Sequence, residues 1–274
     1  MKQFTKFYRI KKIHFLDKQQ RFVIQTGSLT AGLLLTQVIW SDYRFLLVLI
    51  LALVSYILTA WSLKEDIEGL EWLLLFILPV FFTVSVSLFY FLLPGRLISR
   101  FTTGVIFTLG TYAIIRTVNI YNVAVERSIQ LLRVAQTVGL LISLVIVFFT
   151  TIVIYSLRVS FWINILLMTP VIFALALQSL WSIKLESRFT SHLLIYSGII
   201  GLVIGELMGS LSFWPIFRSS GLAIAALFIS STYYCLVGII QHYLLGRMFA
   251  NTIREYIISF VFMLLLLTLA THWG

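Results

Sequence analysis

The chain has 274 residues, of which 60% are apolar, 15% aromatic and only 11% charged. Soluble domains carry about 25% charged residues, so a soluble globular enzyme is excluded, and the high hydrophobicity excludes a disordered protein. The 20 basic residues against 10 acidic ones indicate cytoplasmic loops that contact anionic lipid headgroups rather than nucleic acid, so the composition predicts a polytopic membrane protein.

The first element is a predicted cytoplasmic basic leader over residues 1–23. Its apolar residues do not gather on one helical face, and it lacks the apolar core of a cleaved secretory signal. Residues 24–274 are predicted to form a single transmembrane helical domain. The basic side chains of the leader are Lys2, Lys6, Arg9, Lys11, Lys12, Lys18 and Arg21.

Nine apolar runs then follow that could each cross a membrane as a helix. The first is the weakest because it carries several polar residues, among them Gln25 and Thr36, so eight spans is the alternative. Long continuous apolar runs exclude the alternation of a β-barrel, and the predicted fold is an all-α transmembrane helix bundle. The predicted spans are 24–40, 45–63, 72–93, 101–118, 136–157, 160–182, 192–213, 221–243 and 256–272.

Tryptophan and charge positions predict how the bundle is oriented. All seven tryptophans fall at predicted span ends, where indole rings favour the headgroup region. Most Lys and Arg residues fall in the loops on the N-terminal side of the membrane. This asymmetry predicts a multi-pass protein of the cytoplasmic membrane with its N-terminus in the cytoplasm.

Two prolines lie inside spans, Pro79 in the third and Pro170 in the sixth, 91 residues apart. A shift of 91 residues also lays span two on span five and span four on span seven. One interpretation is an inverted repeat with broken helices, as in secondary transporters. The other is a pair of simple helix kinks, which membrane helices tolerate.

Glu206 is the one acidic residue deep inside a predicted span. Gly201, Gly205 and Gly209 recur every four residues and predict a ridge on which another helix packs closely. Glu206 follows Gly205 by about 100° of helix rotation, so we expect it to border that interface rather than face lipid. It is either an uncharged glutamic acid hydrogen-bonded to a neighbouring helix or a functional proton carrier or ligand contact.

Four basic side chains are candidates for a cytoplasmic rim that contacts phosphate headgroups: Arg116, Arg133, His242 and Arg247. Arg116 lies inside a span, and we expect its side chain to extend toward the cytoplasmic face. The alternative interpretation of all four is an ordinary solvated rim.

No motif assigns a reaction. The sequence has no His-Glu-x-x-His zinc motif, no P-loop and no Gly-x-Ser-x-Gly elbow, so no catalytic residue, metal site or cofactor is predicted. The single cysteine, Cys235, lies in an apolar run and is expected to be a buried packing residue.

Three stretches carry a resemblance to a known family. They are Tyr121–Ala124 with Leu131–Gly139, Leu211–Pro215 after Glu206, and Thr252–Tyr256. They resemble an uncharacterised bacterial family of multi-pass membrane proteins, a domain of unknown function, over roughly residues 100–274. The resemblance implies an integral membrane protein and carries no activity.

Three functions stay open from the sequence. The first is a non-enzymatic protein that packs helices, scaffolds or binds a membrane protein partner, including a second copy of itself. The second is a secondary transporter or lipid-moving protein that uses Glu206. The third is an intramembrane enzyme that acts on a lipid-linked substrate at the cytoplasmic rim.

Overall fold

A computed structural model of the protein describes residues 17–38, 43–63, 71–94, 96–126, 131–185, 191–214 and 221–271. Within these ranges the chain forms nine α-helices and no strand, which confirms the all-α prediction. The helices are α1 (Lys18–Val38), α2 (Arg44–Leu63), α3 (Glu71–Tyr90), α4 (Leu97–Glu126), α5 (Leu132–Ser156), α6 (Phe161–Lys184), α7 (Ser191–Leu211), α8 (Leu222–Leu244) and α9 (Ala250–Ala270).

Eight of these helices, α2 to α9, are long and apolar enough to cross a membrane. The exception is α1, which nevertheless packs along α2 and α4. Its Gln25 donates from Nε2 to Thr59 Oγ1 of α2 at 2.7 Å, and Thr30 Oγ1 lies 3.0 Å from Thr108 Oγ1 of α4. Two of the polar residues that make α1 a weak span, Gln25 and Thr30, thus contact neighbouring helices.

The start of α1 differs from the predicted leader boundary. The helix begins at Lys18, so residues 18–23 are helical, while residues 1–16 lie outside the described ranges. Arg21 is 6% exposed, and its guanidinium lies 5.8 Å from the centre of the Trp61 ring on α2. This part of the leader therefore belongs to the bundle and not to a free surface segment.

Helices that are consecutive in the chain run antiparallel, whereas α3 and α5, which also pack together, run in the same direction. Tyr121 near the end of α4 donates to the main-chain oxygen of Ala135 near the start of α5 at 2.9 Å. We call the end of the bundle where α1 begins and α4 ends the basic end, and the end where α5 ends and α6 begins the distal end. The predicted orientation would place the basic end in the cytoplasm.

The centre of the bundle is formed by α3 and α5. α3 packs against α2, α4, α5 and α6, and α5 packs against α3, α4, α6 and α8. By contrast, α9 packs mainly on α8 and leaves most of its surface exposed. The membrane thus surrounds a packed core of eight helices with α9 at its periphery.

Neither proline breaks its helix, so the broken-helix interpretation is wrong. α3 continues through Pro79 and α6 continues through Pro170, with Pro79 buried and Pro170 exposed. The Pro79 main-chain oxygen accepts hydrogen bonds from the hydroxyls of Thr83 at 2.8 Å and Ser55 at 3.3 Å. The two proposed repeats also pack differently, because the α6–α7 contact is far more extensive than the corresponding α3–α4 contact.

One tryptophan does not occupy the interface predicted for it. Trp181 of α6 is only 2% exposed and belongs to the hydrophobic core, whereas Trp162 at the start of the same helix is 67% exposed. The two tryptophans differ in burial because neighbouring residues cover Trp181 at the basic end of α6 and leave Trp162 exposed at its distal end. Sequence position alone could not distinguish these two tryptophans.

Candidate functional site

The predicted glycine ridge is a close contact between α7 and α6. A Cβ on Gly201 would lie 3.1 Å from the main-chain oxygen of Thr169, and one on Gly209 would lie 2.5 Å from the Ile165 side chain. A Cβ on Gly205 would collide with the Thr169 hydroxyl. The absence of side chains at these three positions lets the two backbones approach, as in other small-residue interfaces between membrane helices.

Glu206 lies beside this contact, about 100° around α7 from Gly205. Its neighbours Gly205 and Met208 are buried, whereas Glu206 is exposed in a stripe with Ile199 and Leu202. The expectation that Glu206 is turned away from lipid is therefore wrong, because 100° of rotation carries it past the α6 contact. Its carboxylate makes no hydrogen bond or ion pair with a described residue, and it lines neither of the cavities described below.

Arg116 does not reach toward the basic end. Its Nη2 and Nε donate to the Tyr112 hydroxyl at 2.6 and 3.1 Å, and its guanidinium lies 5.1 Å from the Tyr112 ring centre. Tyr112 stands one turn closer to the distal end. The expected extension toward the cytoplasmic face is wrong, because helical side chains lean toward the helix N-terminus, which for α4 lies at the distal end.

The four candidate rim residues do not form one site. His242 is half-buried between α8 and α9, where its Nδ1 lies 2.9 Å from the Gly238 oxygen and 3.5 Å from the Tyr256 hydroxyl. Arg133 and Arg247 are exposed at the start of α5 and after α8. Arg116 stands on α4, which α5 separates from α8.

A polar cavity lies at the distal end, where none was predicted. It measures about 530 Å³ and opens between the ends of α5 and α7 and the starts of α6 and α8. Its polar lining consists of Tyr155, Ser156, Arg158, Asn164 and Ser212. A volume of this size is typical of small-molecule sites.

Asn164 is the buried polar group of this cavity. It is 3% exposed, and its Nδ2 donates to Ser212 Oγ at 2.9 Å. The Ser212 hydroxyl itself donates to the Met208 main-chain oxygen at 3.0 Å, which fixes the direction of the Asn164 bond. Asn164 Oδ1 is left without a hydrogen-bond partner among the described residues, and such a buried acceptor is costly.

Arg158 supplies the positive charge of the cavity. It follows the last turn of α5 with φ at 50°, a left-handed conformation that glycine usually occupies. Its main-chain N–H donates to the Tyr155 oxygen at 3.1 Å and completes the helix end. The side chain is exposed, and no described residue pairs with its guanidinium.

An apolar groove lies between α5, α8 and α9, farther from the distal end than the cavity. It measures about 500 Å³ and is lined by Val145 and Phe148 of α5, Leu227 and Tyr234 of α8 and Met263 of α9. Val145, Phe148 and Ser156 fall on one face of α5. The groove therefore lies below the distal cavity, about 12 Å away along the α5 axis.

Sequence reasoning missed the cavity residues because nothing marks them locally. In the sequence Arg158 is one loop charge among several, and Asn164 on α6 and Ser212 just after α7 stand 48 residues apart. The one available signal was Asn164 itself, an amide in the first turn of an apolar span.

The fold and its apolar helices define a multi-pass membrane protein. More narrowly, the chain belongs to the family described as Protein of unknown function (DUF5656), whose model matches residues 28–270. This confirms the resemblance to an uncharacterised family and extends it from residue 100 back to residue 28. Neither the curated proteins nor the solved structures contain a match to the chain.

Proposed function

We propose that the protein is a non-enzymatic membrane protein that binds a transmembrane helix of a different protein through the exposed face of α7. The observation that carries this proposal is the position of Glu206 in an apolar, outward-facing stripe. Ile195, Ile199 and Leu202 of that stripe are each at least 50% exposed. An ionised carboxylate that faces hydrocarbon without a partner costs about 2.5 kcal/mol at the bilayer centre and less toward the headgroups, so the position of Glu206 favours an incoming polar partner.

The chemistry of Glu206 suggests what the partner helix carries. A Lys, Arg or His side chain at the same depth would form a charge-assisted hydrogen bond with the carboxylate and remove its desolvation cost. Such intramembrane pairs occur where the alternative is an isolated charge in lipid. The partner is therefore expected to be a helix with one basic residue inside its apolar span.

A second copy of this chain is a poorer partner for this surface. Among the exposed basic residues of the described spans, Arg116 lies farthest from a helix end, about 28 Å from the distal end of α4. Glu206 lies only about 8 Å from the distal end of α7. Two copies in the same orientation would hold these groups at different depths.

The α6–α7 contact supports a binding role, because it gives the stripe a fixed platform. Gly201, Gly205 and Gly209 hold α7 against α6 along three successive turns. A partner helix that docks on α7 would therefore meet a surface that is already ordered, which lowers the entropic cost of association.

The two alternatives receive less support. A transporter that uses Glu206 calls for a polar cavity beside this residue, whereas Glu206 faces outward from the bundle. A lipid-modifying enzyme calls for Arg116 and His242 around one opening, whereas these residues stand on helices that α5 separates.

We further propose a cytoplasmic-membrane location with the basic end in the cytoplasm, where Arg133 and Arg247 would contact anionic headgroups.

Site-specific photocrosslinking in intact cells tests the proposal. A photoreactive side chain in place of Leu202 should capture a membrane protein that carries an intramembrane basic residue. The same probe in place of Ile258, which is 59% exposed on α9, is the matched control and should capture only lipid.

Charge exchange then decides whether Glu206 is the contact. Glu206→Leu should lower the Leu202 adduct at least tenfold, and neutralising the basic residue of the captured protein should do the same. Glu206→Lys combined with a partner carrying Glu at its basic position should restore the adduct. An adduct that survives Glu206→Leu, or one that contains only lipid or a second copy of this chain, would show that the proposal is wrong.

A further inference from the structure

The hydroxyl groups of the distal cavity present acceptors to its interior. The Tyr155 hydroxyl donates to the Met208 oxygen at 2.8 Å, and the Ser156 hydroxyl donates to the Ile152 oxygen at 2.7 Å. Each hydroxyl has one proton, so these oxygens have only lone pairs left to offer. Asn164 Oδ1 adds a third acceptor, which is buried and has no hydrogen-bond partner among the described residues. These groups call for a ligand that donates N–H or O–H bonds.

Arg158 gives the same cavity one strong donor. Among the described lining side chains it is the one cation. Its planar guanidinium matches the oxygens of a phosphate group and can bind two of them at once. The starts of α6 and α8 also meet at this cavity, and helix N-termini favour an anion. A ligand that satisfies both sets of groups carries a phosphate and an N–H donor together.

The position of the cavity indicates that this ligand is a lipid. Exposed aromatic side chains stand beside it, with Trp162 67% and Phe213 72% exposed. The indole ring of a tryptophan such as Trp162 favours the headgroup level of a membrane. The apolar groove between α5, α8 and α9 lies about 12 Å farther along α5, a distance that an acyl chain attached to a headgroup in the cavity spans easily.

We propose that the distal cavity binds a phospholipid with a phosphoethanolamine headgroup. Its phosphate pairs with the Arg158 guanidinium, its ammonium donates to Asn164 Oδ1, and one acyl chain lies in the groove beside Val145 and Phe148. This site is separate from the Glu206 stripe, because Glu206 lines neither the cavity nor the groove. The two proposals therefore stand or fall independently.

Native mass spectrometry of the purified full chain with added lipids tests this inference on the unaltered protein. Phosphatidylethanolamine and phosphatidylcholine with identical acyl chains differ in that choline has no N–H to donate. We expect phosphatidylcholine to bind about tenfold more weakly, the effect of one buried acceptor left unpaired. Equal binding of the two lipids overturns the assignment of the ammonium to Asn164.

Variants locate the site. Arg158→Gln should weaken phosphatidylethanolamine binding at least about tenfold by removing the charge-assisted bond to phosphate. Arg96→Gln is the matched control, since Arg96 is exposed at the same distal end, before α4, and does not line the cavity. An equal loss in both variants, or no loss in Arg158→Gln, overturns the proposal.

A third variant distinguishes a lipid from free phosphoethanolamine. Val145→Trp fills the groove from a position that is 39% exposed, so it should abolish lipid binding and leave the cavity intact. Lipid binding that persists in Val145→Trp, or soluble phosphoethanolamine that binds the wild type as tightly as the lipid does, overturns the assignment of the occupant to a lipid.

Discussion

Two alanine substitutions on α7 test whether the α6–α7 contact is as close as the structure shows. Gly198 and Gly201 lie three residues apart on the same helix. A Cβ on Gly198 meets nothing within 4 Å, whereas a Cβ on Gly201 lies 3.1 Å from the Thr169 oxygen and 3.3 Å from Phe173 Cβ. The same chemical change is therefore expected to have different effects at the two positions.

The magnitudes follow from two opposing terms. Replacing helical glycine by alanine stabilises a helix by up to about 1 kcal/mol at both positions. At Gly201 the added methyl group also presses on main-chain atoms of α6, which cannot rotate away, and overpacking of this kind costs about 1–3 kcal/mol. We expect Gly198→Ala to be neutral or stabilising and Gly201→Ala to be about 1–3 kcal/mol less stable than Gly198→Ala.

Gly205 gives an intermediate case. Its Cβ would meet the hydroxyl end of Thr169, which can rotate, so Gly205→Ala should cost less than Gly201→Ala. A leucine side chain at this position is too large for a rotation of Thr169 to accommodate, so Gly205→Leu should separate α7 from α6.

Reversible unfolding in mixed detergent micelles, followed by circular dichroism, measures the free energy of unfolding of each variant. Equal values for Gly198→Ala and Gly201→Ala, or a stabilised Gly201→Ala, would show that α7 does not pack on α6 through this ridge. The Gly198 variant controls for the general effect of alanine on helix stability.

Three further outcomes are expected. Gln25→Leu should lower the free energy of unfolding by about 1–2 kcal/mol, because two hydrogen bonds to α2 are lost even though α1 becomes more apolar. The same micelle titration measures this change, and a stabilised variant would contradict the contact. In Gly238→Ala the new Cβ would lie 2.5 Å from the Tyr256 ring and should displace it. This displacement should open Cys235, which is only 4% exposed in the wild type, to alkylation. The rate of alkylation of this thiol is the measurement, and a rate equal to that of the wild type would argue against the α8–α9 contact. Arg158→Gly should raise the free energy of unfolding by about 1 kcal/mol, because glycine adopts the left-handed backbone conformation of this residue without strain. Phosphatidylethanolamine binding should fall in the same variant. A loss of stability would refute the argument from strain.

The helices could be predicted from the sequence because hydrocarbon imposes long apolar runs. Most predicted boundaries lie within about four residues of the observed ones, since helix ends fray and loops are short. The starts of α1 and α9 differ by six residues, and the end of α4 differs most, because α4 runs from Leu97 to Glu126 against a predicted 101–118. There the helix continues past the apolar run, through Asn119 and Asn122, which pack in the bundle instead of forming a loop.

The glycine ridge was also readable, because a four-residue period already specifies one face of a helix. The direction of Glu206 was not, since the sequence does not say how wide the buried face of α7 is. Arg116 shows the same difficulty: its partner Tyr112 is local, but the choice between the partner and the membrane surface depends on the direction of α4. Contacts between distant helices, such as Asn164 with Ser212, have no local signal at all.

The polar side chains of α1 bear on how the chain enters the membrane during synthesis. Gln25 bonds to a residue 34 positions later and Thr30 to one 78 positions later. When α1 leaves the ribosome neither partner exists, and a translocon would meet a segment too polar to partition on its own. We expect α1 to remain at the bilayer surface and to insert only after α2 and α4 have inserted.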